Sequence, residues 1–260
     1  MALLPLPLAR QAGQLRVPAR VGWLVPRVAI GLLLLVIAAE IYVRLTAPYS
    51  LGAAGLDYRT YAAAATRQVH GLPFYPSWET SGPYDLGAFS GAVLYPPPML
   101  LLFVPFVWLG GFLWSAIPLA IMGGVVLYHR PGPWAWAAIL AFVAFSPEVQ
   151  TLYWFGTPTI WIAAFVALGT VWDWPGALVL LKPAVFPFAL VGVRSRSWWV
   201  ALGVLGIVSL VFLPLWIQWF EVLLNARGAR ANLLYALGDL PLLLIPVIAS
   251  FGRTRSVPGA

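Results

Sequence analysis

The chain has 260 residues, 62% of them hydrophobic and 9% charged, with a mean hydropathy of +0.88. Soluble domains carry roughly 25% charged residues, so this composition cannot clothe a water-facing surface and marks an integral membrane protein without a large soluble domain. The formal charge of +7 comes almost wholly from Arg. These residues lie in the tails and between apolar runs, where they orient the chain and meet anionic lipid, so nucleic acid is not an expected partner.

No Cys is present, which excludes disulfides and thiolate chemistry, and two His are too few for a His-rich metal site. No metal or cofactor is expected. Long continuous apolar runs, rather than alternating segments of about ten residues, exclude a transmembrane barrel and predict an all-α polytopic fold.

Residues 1–27 hold Arg10, Arg16, Arg20 and Arg27 ahead of the first apolar run, at 28–43, which places a basic N-terminal tail in the cytoplasm. The run ends in Glu40 and Arg44, one helical turn apart, and reads as a retained span rather than a cleaved signal. The chain is then at its most polar from about 47 to 92, an outer loop by this topology. Within it, residues 56–70 read as a surface helix that Gly71 ends, with Asp57, Tyr61, Ala64 and Gln68 on one face.

Further spans are expected at 94–109 and 112–128, turning at Gly110-Gly111, and at 134–149, 155–172, 176–193, 197–218 and 233–251. The total is eight in one transmembrane domain, 28–251, followed by a cytoplasmic C-terminal tail at 252–260. Arg194, Arg196, Arg253 and Arg255 then agree with the positive-inside rule, whereas Arg130, Arg227 and Arg230 fall outside and break it.

Signatures of soluble enzymes are missing: there is no GxGxxG, GxxxxGK[ST], HExxH or GxSxG, and no Asp-x-Asp pair to hold a nucleotide-sugar diphosphate through a metal. Lys182 is the sole lysine and sits in an apolar run. A charge there costs about 2.5–3.5 kcal/mol on insertion scales, which makes it a functional candidate by default. Otherwise it snorkels, or pairs with a carboxylate on another span, for which Glu148 is the candidate. Arg59, Arg67 and His70 on the surface helix suit phosphate oxygens, though the same residues serve lipid headgroups equally well. Asp85 suits a sugar hydroxyl or simply begins a turn. Tyr95-Pro96-Pro97-Pro98 fixes the angle at which the loop meets the next span.

Asp57-x-x-x-Tyr61, then Gly71-x-Pro73-x-Tyr75, Tyr95-Pro96-Pro97, Leu181-Lys182-Pro183 and the basic turn Arg194-Ser195-Arg196-Ser197-Trp198 together resemble glycosyltransferase family 87 over about 55–200. Where that family often shows Gly-Gln, this chain has Gly156-Thr157. The resemblance implies a shortened fold of the GT-C type. It also implies inverting transfer of a sugar, mannose by default, from a polyprenyl-phosphate donor to a lipid or envelope acceptor at the outer face of the cell membrane. It implies Asp57 as general base, or Asp85 in its place. Arg59, Tyr61, Arg67, His70, Tyr75, Asp85, Tyr95 and Lys182 become substrate-binding candidates, with Lys182 on the donor phosphate. Two other expectations stand beside it: a non-catalytic, shortened subunit that binds lipid-linked sugar or assists a partner enzyme, and a lipid transporter or flippase. The transporter requires discontinuous helices and paired intramembrane charges. Lys182 and Glu148 standing almost alone in the spans count against it.

Overall fold

Four consecutive alanines at 62–65 favour helix. The computed structural model describes residues 54–86, 91–228 and 237–253, apart from the side chains at 147 and 148, and is mostly helical. It places helix α1 at Leu56–Val69, with His70 as its cap and Gly71 just beyond. Tyr61 and Ala64 are buried, as the helical spacing predicts. The expected first span at 28–43, the tail at 1–27, the residues after Arg253 and Arg230 lie outside the described residues, as does the Glu148 side chain.

The loop continues through a one-turn helix α2 (Ser77–Thr80) and a two-residue strand β1 (Tyr84–Asp85). The span expected at 94–109 does not form. Prolines at 96–98 and at 105 cannot donate to a helical ladder, and they divide the segment into a 3-10 turn, Pro97–Met99, and a single turn α3, Leu100–Phe103. Helix α4 follows at Phe106–His129 and breaks at Gly110, whose φ of 80° and ψ of 168° are open only to glycine. The chain therefore does turn at the expected glycine, but the arm before it is too short to cross a bilayer.

By length and composition α4 is the one described helix able to cross a membrane alone. Counting two bent pairs raises this to three: α5 (Pro133–Phe145) with α6 (Pro147–Phe155), bent by 57°, and α8 (Arg196–Val211) with α9 (Leu213–Asn225), bent by 87°. Helices α7 (Thr159–Trp172) and α10 (Leu240–Phe251) are apolar but shorter. Among the described residues, then, one to three helices are long and apolar enough to cross, and the eight expected spans are not confirmed. On α8, Val200, Val204, Ile207, Leu210 and Val211 are all exposed, an apolar surface suited to lipid rather than water.

The largest departure lies at 176–193. Hydropathy predicts a span, yet the chain folds into a hairpin of two 3-10 helices, Trp174–Leu181 and Pro183–Leu190, with Lys182 at the apex. Its ends are neighbours. A Cβ at Gly192, itself at φ 84°, would stand 2.6 Å from the Cα of Asp173, and one at Gly176 would overlap the carbonyl oxygen of Val191. At about 2.0 Å per residue each arm reaches roughly 16 Å, so the hairpin enters and leaves by the same end of the bundle. Backbone of this kind is tolerated at membrane depth only when buried in protein, and here it packs against α7 and α8.

The close approach gives a test. Gly176→Ala is expected to cost about 1–3 kcal/mol by overpacking, whereas Gly206→Ala, which meets nothing within 4 Å on α8, gains up to about 1 kcal/mol of helix propensity. Thermal midpoints of the two variants in detergent, compared with the natural protein, measure the difference.

Hydrogen bonds sort the segments to two ends. At one end Gly55 N–H donates to Trp154 O, Trp219 Nε1 to Leu94 O and Tyr84 Oη to Val222 O, while β1 pairs in parallel with β2 (Ala226–Arg227). The 213–227 segment therefore lies against the polar stretch that holds Tyr84, Asp85 and Leu94. At the other end His129 Nε2 meets Thr170 Oγ1 at 2.7 Å, Gly132 N–H donates to Gly252 O, and Pro131 bridges to Arg253. Arg130 and Arg253, expected on opposite sides, lie at the same end, joined through the Pro131–Arg253 bridge. Their expected separation had counted 176–193 as a crossing, and that segment is a hairpin.

Candidate functional site

Lys182 is too polar for the apolar surroundings its neighbours create, and burial at the hairpin apex forces it to find partners. It is 4% exposed. Its Nζ lies 2.6 Å from Oδ2 of Asp239 and donates to Thr159 Oγ1 at 2.7 Å, while Thr159 donates to Oδ1 of the same carboxylate at 3.2 Å. Thr159 opens α7 and Asp239 is the N-cap of α10. Two helix N-termini thus stand together, and their partial positive charge favours the Asp239 carboxylate. The carboxylate seen to pair with Lys182 is Asp239, the side chain of the expected partner Glu148 lying outside the described residues, and the Lys–Asp–Thr contacts close a ring.

The ammonium also lies 5.6 Å from the centroid of the Tyr95 ring, a cation–π distance. Tyr95 is held from two sides. The Tyr61 ring meets it edge-on at 5.1 Å and stacks on Phe103 at 4.9 Å, and Tyr75 Oη donates to the Tyr95 carbonyl at 2.8 Å. Four candidates picked from sequence, Tyr61, Tyr75, Tyr95 and Lys182, therefore form one cluster although they span more than a hundred positions. Two residues before Thr159, the Thr157 hydroxyl is buried with no partner among the described residues.

The remaining candidates lie around this cluster rather than in it. Asp57 occupies the first turn of α1, one turn before Tyr61, half-buried, where its charge also complements the helix dipole. The N-cap is Gly55 without a side-chain cap. Next to Asp57, Tyr58 donates to the Phe106 carbonyl at 2.8 Å, and burial raises its hydroxyl pKa. Arg67 donates to the carbonyls of Pro73 and Phe74 at 3.3 and 2.9 Å, clamping the loop against α1. Arg59, His70 and Asp85 are exposed.

Three residues of the site escaped sequence reasoning: Asp239, Thr159 and Glu79. The Glu79 side chain is wholly buried under the loop, with both carboxylate oxygens 3.1 Å from the Val93 N–H. Burial pushes its pKa up to about 7 against the opposing pull of the Val93 amide and the Arg67 charge. Burial and the nearby Glu79 charge likewise raise the hydroxyls of Tyr75 and Tyr84. The backbone of Glu79 is tied as well, because Asn225 Nδ2 donates to the carbonyls of Glu79 and Thr80 at 3.0 and 3.1 Å. A sequence signal for Asp239 existed, since Gly-Asp-Leu-Pro at 238–241 is a helix start carrying the one acid of the last apolar run. Comparison of the chain with protein families, with curated proteins and with solved structures finds no match.

Proposed function

We propose that this protein is a multi-pass membrane glycosyltransferase of the cell membrane, taking a sugar, with mannose as the first candidate, from a polyprenyl-phosphate donor and passing it to a lipid or envelope acceptor. The observation that carries the reading is the convergence of Tyr61, Tyr75 and Tyr95 on the buried Lys182. A buried ammonium beside aromatic rings suits a sugar phosphate, and Asp239 holds the charge in place until a phosphate competes for it. The acceptor hydroxyl passes its proton to Asp57 and attacks the anomeric carbon. The bond from that carbon to the phosphate oxygen breaks, and Lys182 neutralises the departing polyprenyl phosphate. Arg130, Arg194, Arg196 and Arg253 share the end away from the loop, which by the positive-inside rule supports reading that end as cytoplasmic and the Tyr95 cluster as outer.

A second reading is favoured by one specific observation. The Lys182–Asp239 pair at the tip of a discontinuous hairpin is the kind of feature a transporter of lipid-linked anions would use. Sugar transfer from mannosyl and glucosyl polyprenyl phosphates, in membranes containing the natural protein and mixed envelope lipids, separates the two. Turnover supports the transferase. Its absence together with accelerated movement of the donor across reconstituted vesicles supports transport, and binding alone supports an accessory subunit.

A further inference from the structure

Helix α9 has two apolar faces. Trp219 and Val222 are buried against the polar stretch, where the Trp219 indole donates to Leu94 O and the Val222 carbonyl accepts from Tyr84. On the opposite side Leu213, Ile217, Phe220 and Leu224 recur at steps of four, three and four residues, which lines them along one helix face. They are 55–71% exposed, so the described residues leave that stripe open. The same steps place Val200, Val204, Ile207 and Val211 on the exposed face of α8, and Val211 and Leu213 bring the two stripes together at the bend. Arg196, where α8 begins, and Glu221, beside the α9 stripe, are the only charged residues of the two helices.

The bend itself is fixed by bonds. Pro214 cannot donate to the Leu210 carbonyl, so the helical ladder stops there. Phe212 N–H and the Trp216 indole both donate to Ser209 O, at 3.1 and 3.2 Å, and hold α9 at 87° to α8. Helix α8 runs from the basic end, at Arg196, to the polar stretch that α9 touches. At 1.5 Å per residue it is about 24 Å long, a few ångströms short of the roughly 30 Å hydrocarbon core. A helix lying along the membrane surface sits about 5–10 Å into the boundary between headgroups and acyl chains, which makes up the difference.

We infer that α9 is an interfacial helix: Leu213, Ile217, Phe220 and Leu224 are seated among the acyl chains of the leaflet on the loop's side, and the opposite face carries the Tyr84–Leu94 stretch on the headgroups. The partner is the lipid surface, because the α9 stripe continues the apolar face of α8 and carries no charge of its own. On the reading of the Tyr95–Lys182 cluster as a lipid-phosphate site, this seat keeps Tyr95 near the depth of the lipid phosphates, and a lipid-linked donor reaches it by diffusion within the leaflet. The seat does not depend on that reading.

The chain has no Cys, so a nitroxide can be attached to one introduced cysteine in the full protein. Leu213→Cys, Ile217→Cys, Phe220→Cys, Leu224→Cys and Glu221→Cys are labelled singly and reconstituted in vesicles of phosphatidylethanolamine with phosphatidylglycerol. Collisions of each label with oxygen, which partitions into lipid, and with a water-soluble nickel chelate report its depth. The four stripe labels are expected at one depth, about 5–10 Å below the phosphates, with the Glu221 label in reach of nickel. A helix that continued the crossing would set the labels at 213 and 224 about 16 Å apart in depth, and that gradient overturns the inference. Nickel contact along the stripe equal to that at 221 overturns it too, since the stripe is then in water. So does shielding from both reagents, which places a second copy or another part of the chain over the face. All five sites are exposed, so the labelled chains are expected to keep the natural melting midpoint in detergent, and three sound labels suffice to measure the gradient. No donor lipid is present, so this outcome is separate from that of the sugar-transfer assay.

Discussion

Lys182→Met is expected to lower stability by about 3–5 kcal/mol, because it leaves the Asp239 carboxylate buried without its cation. The pair is 2.6 Å apart with side chains 5% and 6% exposed, so neither charge has water to fall back on. Asp239→Leu should cost a similar amount for the mirror-image reason. The double variant Lys182→Met/Asp239→Leu removes both charges and keeps the apex apolar. It is expected to recover most of the loss, since replacing a whole buried pair by apolar groups is often neutral. Thr159→Val should cost only about 1 kcal/mol, the worth of an ordinary hydrogen bond. Thermal midpoints of the four proteins in detergent decide the matter. Additive losses in the double variant would show that the two residues do not act as a pair. Activity separates stability from role: the double variant should be folded yet unable to hold the donor phosphate.

Asp57→Asn is expected to reduce sugar transfer by about a hundredfold to ten-thousandfold, the usual contribution of a positioned general base, while donor binding persists. Binding persists because the proposed phosphate contacts come from Lys182, at the hairpin apex, and not from α1. Asp57→Glu should recover part of the rate, since it keeps a base one methylene out of place. The comparison is made at matched expression in the same membranes. An equal loss of donor binding in Asp57→Asn would mean that Asp57 shapes the loop rather than accepting a proton, and undiminished turnover would move the base to Asp85 or elsewhere.

Local signals in the sequence were readable and long-range ones were not. Helix α1 and its end at Gly71 follow from residue propensities, and the break at Gly110 from a glycine pair, because both depend on neighbours along the chain. The lone lysine in an apolar run marked Lys182 for attention. Its partner did not announce itself, because Asp239 is 57 positions away and no local rule links them. Hydropathy failed at 176–193 for a physical reason: it measures transfer from water, and a hairpin buried in protein is as apolar as a span. Pro175, Pro183 and Pro187, with Gly176 and Gly192 at the mouth, were the better indicators. The bend at Phe212 was similarly hidden, although Gln218, Glu221 and Asn225 recur at helical spacing on one flank of α9. Glu79 was invisible as a site residue, since burial inside a polar loop leaves no trace in composition.

The hairpin at 173–192 also has a topological meaning. A segment that returns to its starting point adds nothing to the odd or even count of passages made by the chain, so the sidedness of α8, α9 and α10 does not depend on it. Its arms can lengthen, shorten or exchange their apex residue while the segments before and after keep their orientation. The buried lysine is thus carried on a module that can vary in sequence without inverting the rest of the protein.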